Sequence, residues 1–203
     1  LILQIAAVVL SYLLGSVSFS VLIGRFMKGV DVRQHGSGNA GATNTLRVLG
    51  KGPAIMVLLL DVCKGIAAVW LGYWLGGGSQ WTASLAGIAA IAGHNWPLYF
   101  HFRGGKGIAT AIGVLATLCF FPALIAGVIA ILSIVITRYV SLGSLIFVVL
   151  TPWMILVLGY PWPLFWSSLI ICVFAVWRHR SNIRKLIQGK ENRLGSKGGD
   201  RRG

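Results

Sequence analysis

Long apolar runs, interrupted only by a few clusters of charge, constrain this chain more than any other feature. Ile55–Leu60, Leu124–Ile136 and Leu145–Leu150 contain no charged residue at all. Hydrophobic residues make up 56% of the chain and charged ones 11%, whereas a soluble domain carries about 25% charged residues. Too little polar surface remains to coat a water-soluble globule, and a chain this apolar does not stay disordered. The expected fold class is all-α, a polytopic integral membrane protein.

The charges then divide the chain into spans and loops. Lys and Arg number 18 against 4 Asp and Glu, a net charge of +14. They cluster in Arg25–Lys51, in Arg103–Lys106, at Arg138 and in a tail from Arg178 onward. The turns Gly76–Gln80, Phe121-Pro122 and Gly159–Pro163 are uncharged. The positive-inside rule puts the basic regions in the cytoplasm and the neutral turns outside. Spans are expected near 2–24, 53–74, 81–100, 108–120, 123–137, 141–159 and 162–178. That makes seven transmembrane helices, with the N-terminus outside and the C-terminus cytoplasmic. The fourth and fifth are short, about 20–23 Å against a hydrocarbon core of ~30 Å. One helix over 108–137 is the alternative, but it strands Pro122 mid-helix and moves Arg138 outside. The opening apolar stretch reads as a first span, without the basic region of a removable leader. Residues 1–192 are expected to form one membrane domain, and 193–203 a disordered basic tail that meets anionic headgroups. Cys63, Cys119 and Cys172 lie in apolar sequence without metal or disulfide spacing and read as small hydrophobes.

Two cytoplasmic segments have the composition of phosphate sites. In the first, Arg33–Arg47, the glycines Gly36, Gly38 and Gly41 allow backbone N–H groups to converge on an anion. Ser37, Asn39, Thr43 and Asn44 add neutral donors, and Arg47 adds a bidentate fork. The Gly-x-Gly-x-x-Gly match here is accidental, because the strand before it is missing and the acid that follows, Asp61, sits in apolar sequence. In the second, Gly104, Gly105 and Gly107 surround Lys106 just before a helix at Ile108. Ammonium and helix N-terminus would then point one way, although the Walker pattern is absent. Asp61 and Lys64 stand three apart in the second span, where they can neutralise one another or Lys64 can face a polar cavity. His179 and Asn182 share a helix face at the membrane boundary.

The inventory is poor in conventional bases. The residue five after each histidine is Ala40, Tyr99, Lys106 or Arg184, so a His-x-x-x-x-Asp pair is missing. A site of cations, glycines and neutral donors stabilises anions and suits substrates that are already activated phosphates. Aromatic interleaving and an independent fold for nucleic-acid binding are lacking.

Taken together, Gly36–Asn44 with Arg47, Asp61-x-x-Lys64-Gly65, Gly93-His94 through Arg103–Thr110, and His179-Arg180-x-Asn182-Ile183 with Glu191 resemble the bacterial acyl-phosphate:glycerol-3-phosphate acyltransferases (PlsY family). The resemblance runs from about Gly15 to Glu191. One departure is Arg103, where family members often have Lys. The resemblance implies transfer of an acyl group from acyl phosphate to the sn-1 hydroxyl of glycerol 3-phosphate, giving lysophosphatidic acid and phosphate. It also implies seven spans in the bacterial inner membrane, a cytoplasmic site, and no cofactor, metal or obligate protein partner. Family site positions fall on Ser37, Arg47, Lys106, Ser144, His179 and Asn182. Of these Ser37, Lys106 and His179 are expected to be catalytic. Arg47, Ser144 and Asn182 are expected to bind substrate, with Gly36, Gly38, Asn39, Thr43, Asn44, Gly104, Gly105 and Gly107. The rival from another class is a small transporter or channel for phosphate-containing anions, but internal repeats are absent.

Overall fold

The computed structural model describes residues 1–195. Within them the chain is helical throughout, without a strand. The apolar helices are α1 (Ile2–Gly15), α4 (Lys51–Leu75), α5 (Gln80–Asn95), α6 (Ile108–Leu118), α7 (Phe120–Thr137), α8 (Val140–Val157) and α9 (Trp162–Arg178). Three short amphipathic helices, α2 (Phe19–Lys28), α3 (Ala42–Leu49) and α10 (Arg180–Ile187), and two single 3-10 turns complete the fold. Counting Ile2–Lys28 as one span, four helices are long and apolar enough to cross a membrane: that one, α4, α7 and α8.

Three departures from the expected spans have local causes. The first span breaks at Ser16–Ser18: Ser16 Oγ bonds back to Tyr12 O (2.9 Å), Ser18 turns extended (φ −94°, ψ 90°), and α2 starts afresh at Phe19. The third span stops at Asn95, and Leu98–Phe100 forms a 3-10 turn instead of a last helical turn. The pair over 108–137 is indeed two helices, because the ring of Pro122 excludes the carbonyl four residues earlier, that of Leu118, where α6 ends. Cys119 carries the break (φ −148°, ψ 73°) and α7 is then 18 residues long, not the short helix expected.

The main core joins α4 to α9 through Val69, Ile91, Val114, Leu115, Phe147, Ile155 and Ile171. Around it the bundle is inside-out relative to a soluble protein. Leu132, Val135, Ile136, Trp153 and Val173 remain exposed, as a lipid-facing surface requires. A second, small core of Val21, Val32, Ala40 and Phe100 lies between α2, the first glycine loop and the Leu98–Phe100 turn. That cluster brings the two glycine segments to the same end of the bundle.

Candidate functional site

The first loop is tied from within. Gly36 sits at φ +60°, a left-handed conformation open to glycine at low cost, and any side chain there would strike the Asn44 amide. Asn44 is buried and its amide is fully committed: Oδ1 accepts from the Ser37 N–H (2.8 Å), and Nδ2 donates to Val32 O (2.7 Å) and His35 O (3.1 Å). The Gly38 N–H (φ +72°) donates to His35 O (3.0 Å). Two N–H groups expected to meet an anion are therefore used inside the loop, and Asn44 shapes it. Ser37, at the tip, is exposed; Asn39 and Thr43 are half-buried; Arg47 projects exposed from the last turn of α3.

Arg33 joins this loop to the second segment. It is anchored on Asp31 (2.7 Å), whose carboxyl the guanidinium hydrogen bond holds down at about 2. Its Nη1 donates to Phe100 O (3.0 Å) and Arg103 O (3.1 Å). From the far side Arg178, in the last turn of α9, donates to Gly105 O (2.9 Å) and Gly104 O (3.1 Å). The Gly105 N–H goes to His94 O (3.1 Å). A Cβ on Gly105 would collide with the His94 ring and with Ala40 O, and one on Gly104 with the backbone of His94 and Asn95. Gly107 (φ +77°) starts α6 against the Asn95 side chain. These glycines permit the close packing of two loops and a helix end.

Lys106 emerges from this clamp. Its ammonium donates to Asn182 Oδ1 on α10, and Asn182 Nδ2 donates in turn to Glu191 Oε1 (2.8 Å). Burial pushes Lys106 down to about 8; Glu191 opposes this, while Arg47, Arg178 and Lys185 repel it further. His179, 2% exposed, caps α9 with its Nδ1 on Ala175 O (2.8 Å). Burial and the neighbouring Lys106 charge hold its imidazole at about 4. With Nδ1–H donating to a carbonyl, Nε2 keeps its lone pair. Ser144 is buried at the start of the second turn of α8 and gives its proton to Val140 O (2.9 Å), within its own helix.

Lys106, Asn182 and His179 thus come together, with Arg47 in electrostatic reach. Four contributors were not among the expected site residues, although His94 and Glu191 lie in the motifs of the resemblance: Arg33, Arg178, His94 and Glu191. Scarcity was the available signal. Only four acids occur in the chain, and each of the three described ones holds a partner: Asp31 with Arg33, Asp61 with Lys64, Glu191 with Asn182.

The family model described as glycerol-3-phosphate acyltransferase matches residues 5–189. A glycerol-3-phosphate acyltransferase of Halalkalibacterium halodurans is 61% identical over 192 residues, 92% of this chain and 93% of that one. Another, from Shouchella clausii, is 58% identical over 198 residues, 95% and 97% of the two chains. The crystal structure of PlsY, an integral membrane glycerol 3-phosphate acyltransferase in its glycerol 3-phosphate form, superposes with a TM-score of 0.90 at 37% identity. It covers 95% of this chain and 96% of PlsY. The lysophosphatidic acid form gives 0.87 at 36%. The chain belongs to the glycerol-3-phosphate acyltransferase family and is a membrane protein.

Proposed function

We propose that this chain transfers a fatty acyl group from acyl phosphate to the sn-1 hydroxyl of glycerol 3-phosphate, releasing lysophosphatidic acid and inorganic phosphate. The observation that carries this reading is a half-buried Lys106 ammonium, held by Asn182 among Arg47, Arg178 and Lys185. Such a concentration of positive charge around one desolvated ammonium is costly unless anions enter it. The acyltransferase family and the glycerol 3-phosphate and lysophosphatidic acid forms of PlsY supply the chemistry of those anions.

In the step itself the sn-1 oxygen attacks the acyl carbonyl carbon and the acyl C–O bond of the mixed anhydride breaks, so phosphate leaves. Lys106 neutralises charge on the departing phosphate, and Arg47 with Asn182 holds the phosphate of the acceptor. The hydroxyl proton passes to an oxygen of the leaving phosphate, so the step needs no base from the protein. An imidazole held at about 4 is a poor store for that proton. His179 Nε2 therefore holds the acceptor by accepting a hydrogen bond from its second free hydroxyl, at C2, and leaves the sn-1 proton to the phosphate. Ser37 and Thr43 add neutral donors at the rim, and the buried Ser144, its proton given to Val140 O, offers the substrate only an acceptor oxygen.

We also infer that α1 and α4 to α9 are the seven spans, with the N-terminus outside and the site facing the cytoplasm of a bacterial inner membrane. Helix α6 is about 16 Å long, well short of ~30 Å. Its neighbours bury Ala111, Val114 and Leu115. A short helix so enclosed lets Lys106 sit below headgroup level, where the acyl carbonyl of a membrane-borne donor lies. The test is direct: protein purified in detergent, with no sealed compartment, is given glycerol 3-phosphate and palmitoyl phosphate or palmitoyl-CoA. Lysophosphatidic acid from the phosphate alone is expected. Product from the thioester, or none from either, refutes the donor assignment.

A further inference from the structure

Asp61, Lys64 and His94 are 1%, 3% and 6% exposed and lie at the junction of α4, α5 and the break between α1 and α2. Lys64 Nζ stands 2.7 Å from Asp61 Oδ1 in an ion pair, donates to Val17 O (2.9 Å), and meets His94 Nδ1 at 3.0 Å. His94 Nδ1 also lies 3.5 Å from Asp61 Oδ1, so both members of the ion pair hold the ring at its Nδ1 edge, with Nε2 on the other edge. That Nε2 faces Gly105, whose N–H is bonded to the carbonyl of the same His94. A continuous series of contacts therefore runs from Lys64 through His94 to Gly105, the residue before Lys106. Stability alone does not explain three buried ionisable groups, since apolar replacements of a buried ion pair are often as stable or more so.

We propose that Asp61, Lys64 and His94 are a positioning unit, which sets the Gly104–Lys106 loop and acts on acyl transfer only through it. This rests on Lys106 being the phosphate-binding ammonium. Lys64 holds the imidazole at a fixed depth and angle, and the imidazole and its carbonyl fix Gly105. Arg178 completes the clamp on the Gly104 and Gly105 carbonyls. The same ammonium holds the α1–α2 break from which the chain turns toward the first loop, so both glycine segments are referenced to one buried charge.

The test replaces both charges together, as D61N/K64M, so that neither is left unpaired. Lys106 faces Glu191, Arg47, Arg178, Lys185, His179 and Asn182, all of them untouched by the double substitution. The variant is expected to unfold at or near the wild-type temperature and to lose about 10–100-fold in kcat/KM. Its alkaline limb should also move up from about 8 as Lys106 gains solvent. An unmoved limb with only a smaller active fraction means a structural role and overturns the proposal, as does wild-type activity. Should D61N/K64M fail to fold, His94→Asn keeps an acceptor for Lys64 while removing the ring from Gly105. It must show the same shift of the limb, and an unmoved limb there overturns the proposal too. Wild-type protein inactive on palmitoyl phosphate would defeat the donor assignment alone. The position of the limb is then read from thermal stabilisation by inorganic phosphate across pH, with the same two outcomes.

Discussion

At the scale of single residues, burial and neighbouring positive charge push both Lys106 and His179 toward the neutral form, yet leave them in opposite states at neutral pH. Lys106 stays protonated below about 8, and loses its charge as pH rises through that value. The kcat/KM profile reports the free enzyme, so its alkaline limb is expected near 8, and a limb near 10 would remove Lys106 from the leaving phosphate. Lys106→Ala should cost at least about 100-fold in kcat, checked by phosphate release. His179 is neutral above about 4 and offers Nε2 as an acceptor. His179→Gln, which can place an amide oxygen where Nε2 was, should keep activity within about tenfold while His179→Ala loses more. A Gln variant as impaired as the Ala variant would make His179 the base. These residue types were legible in the sequence because they lie in compact motifs. Their protonation states were not, since burial and charge neighbours come from distant segments.

At the scale of elements, two arginines hold the second glycine segment. The sequence had placed both among its positive-inside charges. Arg33 links the first loop to Phe100 and Arg103, and Arg178 links α9 to Gly104 and Gly105. Charge-assisted hydrogen bonds of this kind contribute about 1.5–3 kcal/mol each. Arg33→Gln should lower the unfolding temperature and depress kcat/KM together, measured by thermal unfolding and initial rates. If it changes neither, the strap is unnecessary. Gly105→Ala puts a methyl group into the His94 ring and Ala40 O, and Ala40 O is backbone that cannot rotate away. Activity should fall by about 100-fold or more, and a variant within a few-fold of wild type would show that the loop has slack. The Asn44 amide shows how far composition misleads. It looked like a free donor for an anion, yet its bonds all go to the loop's own backbone.

Across the whole molecule, the basic clusters and neutral turns make a sidedness prediction. A cysteine at Gly78 should react with an impermeant maleimide in intact cells, and one at Gly189 only after the membrane is opened. The reverse pattern inverts the orientation. Beyond Glu191 the chain runs back over the bundle: the Leu194 N–H donates to Arg138 O (2.7 Å) and the Arg193 guanidinium lies over the Tyr139 ring (5.4 Å). The expected disordered tail thus begins with ordered contacts, and residues 196–203 lie outside those described. By itself the sequence determined the class of protein and the order of its helices. Hydrophobic run length and charge placement are local properties that one chain displays along its length. It also singled out the two glycine segments and the His179–Asn182 pair, which the fold gathers at one end of the bundle. Only the tertiary structure decided that Lys106 meets Asn182, that Arg178 fastens the glycine loop, and that Lys64 is joined to His94. Those pairs lie 76, 73 and 30 residues apart. Helix packing brings them together, and packing depends on the shapes of faces that are uniformly apolar in sequence.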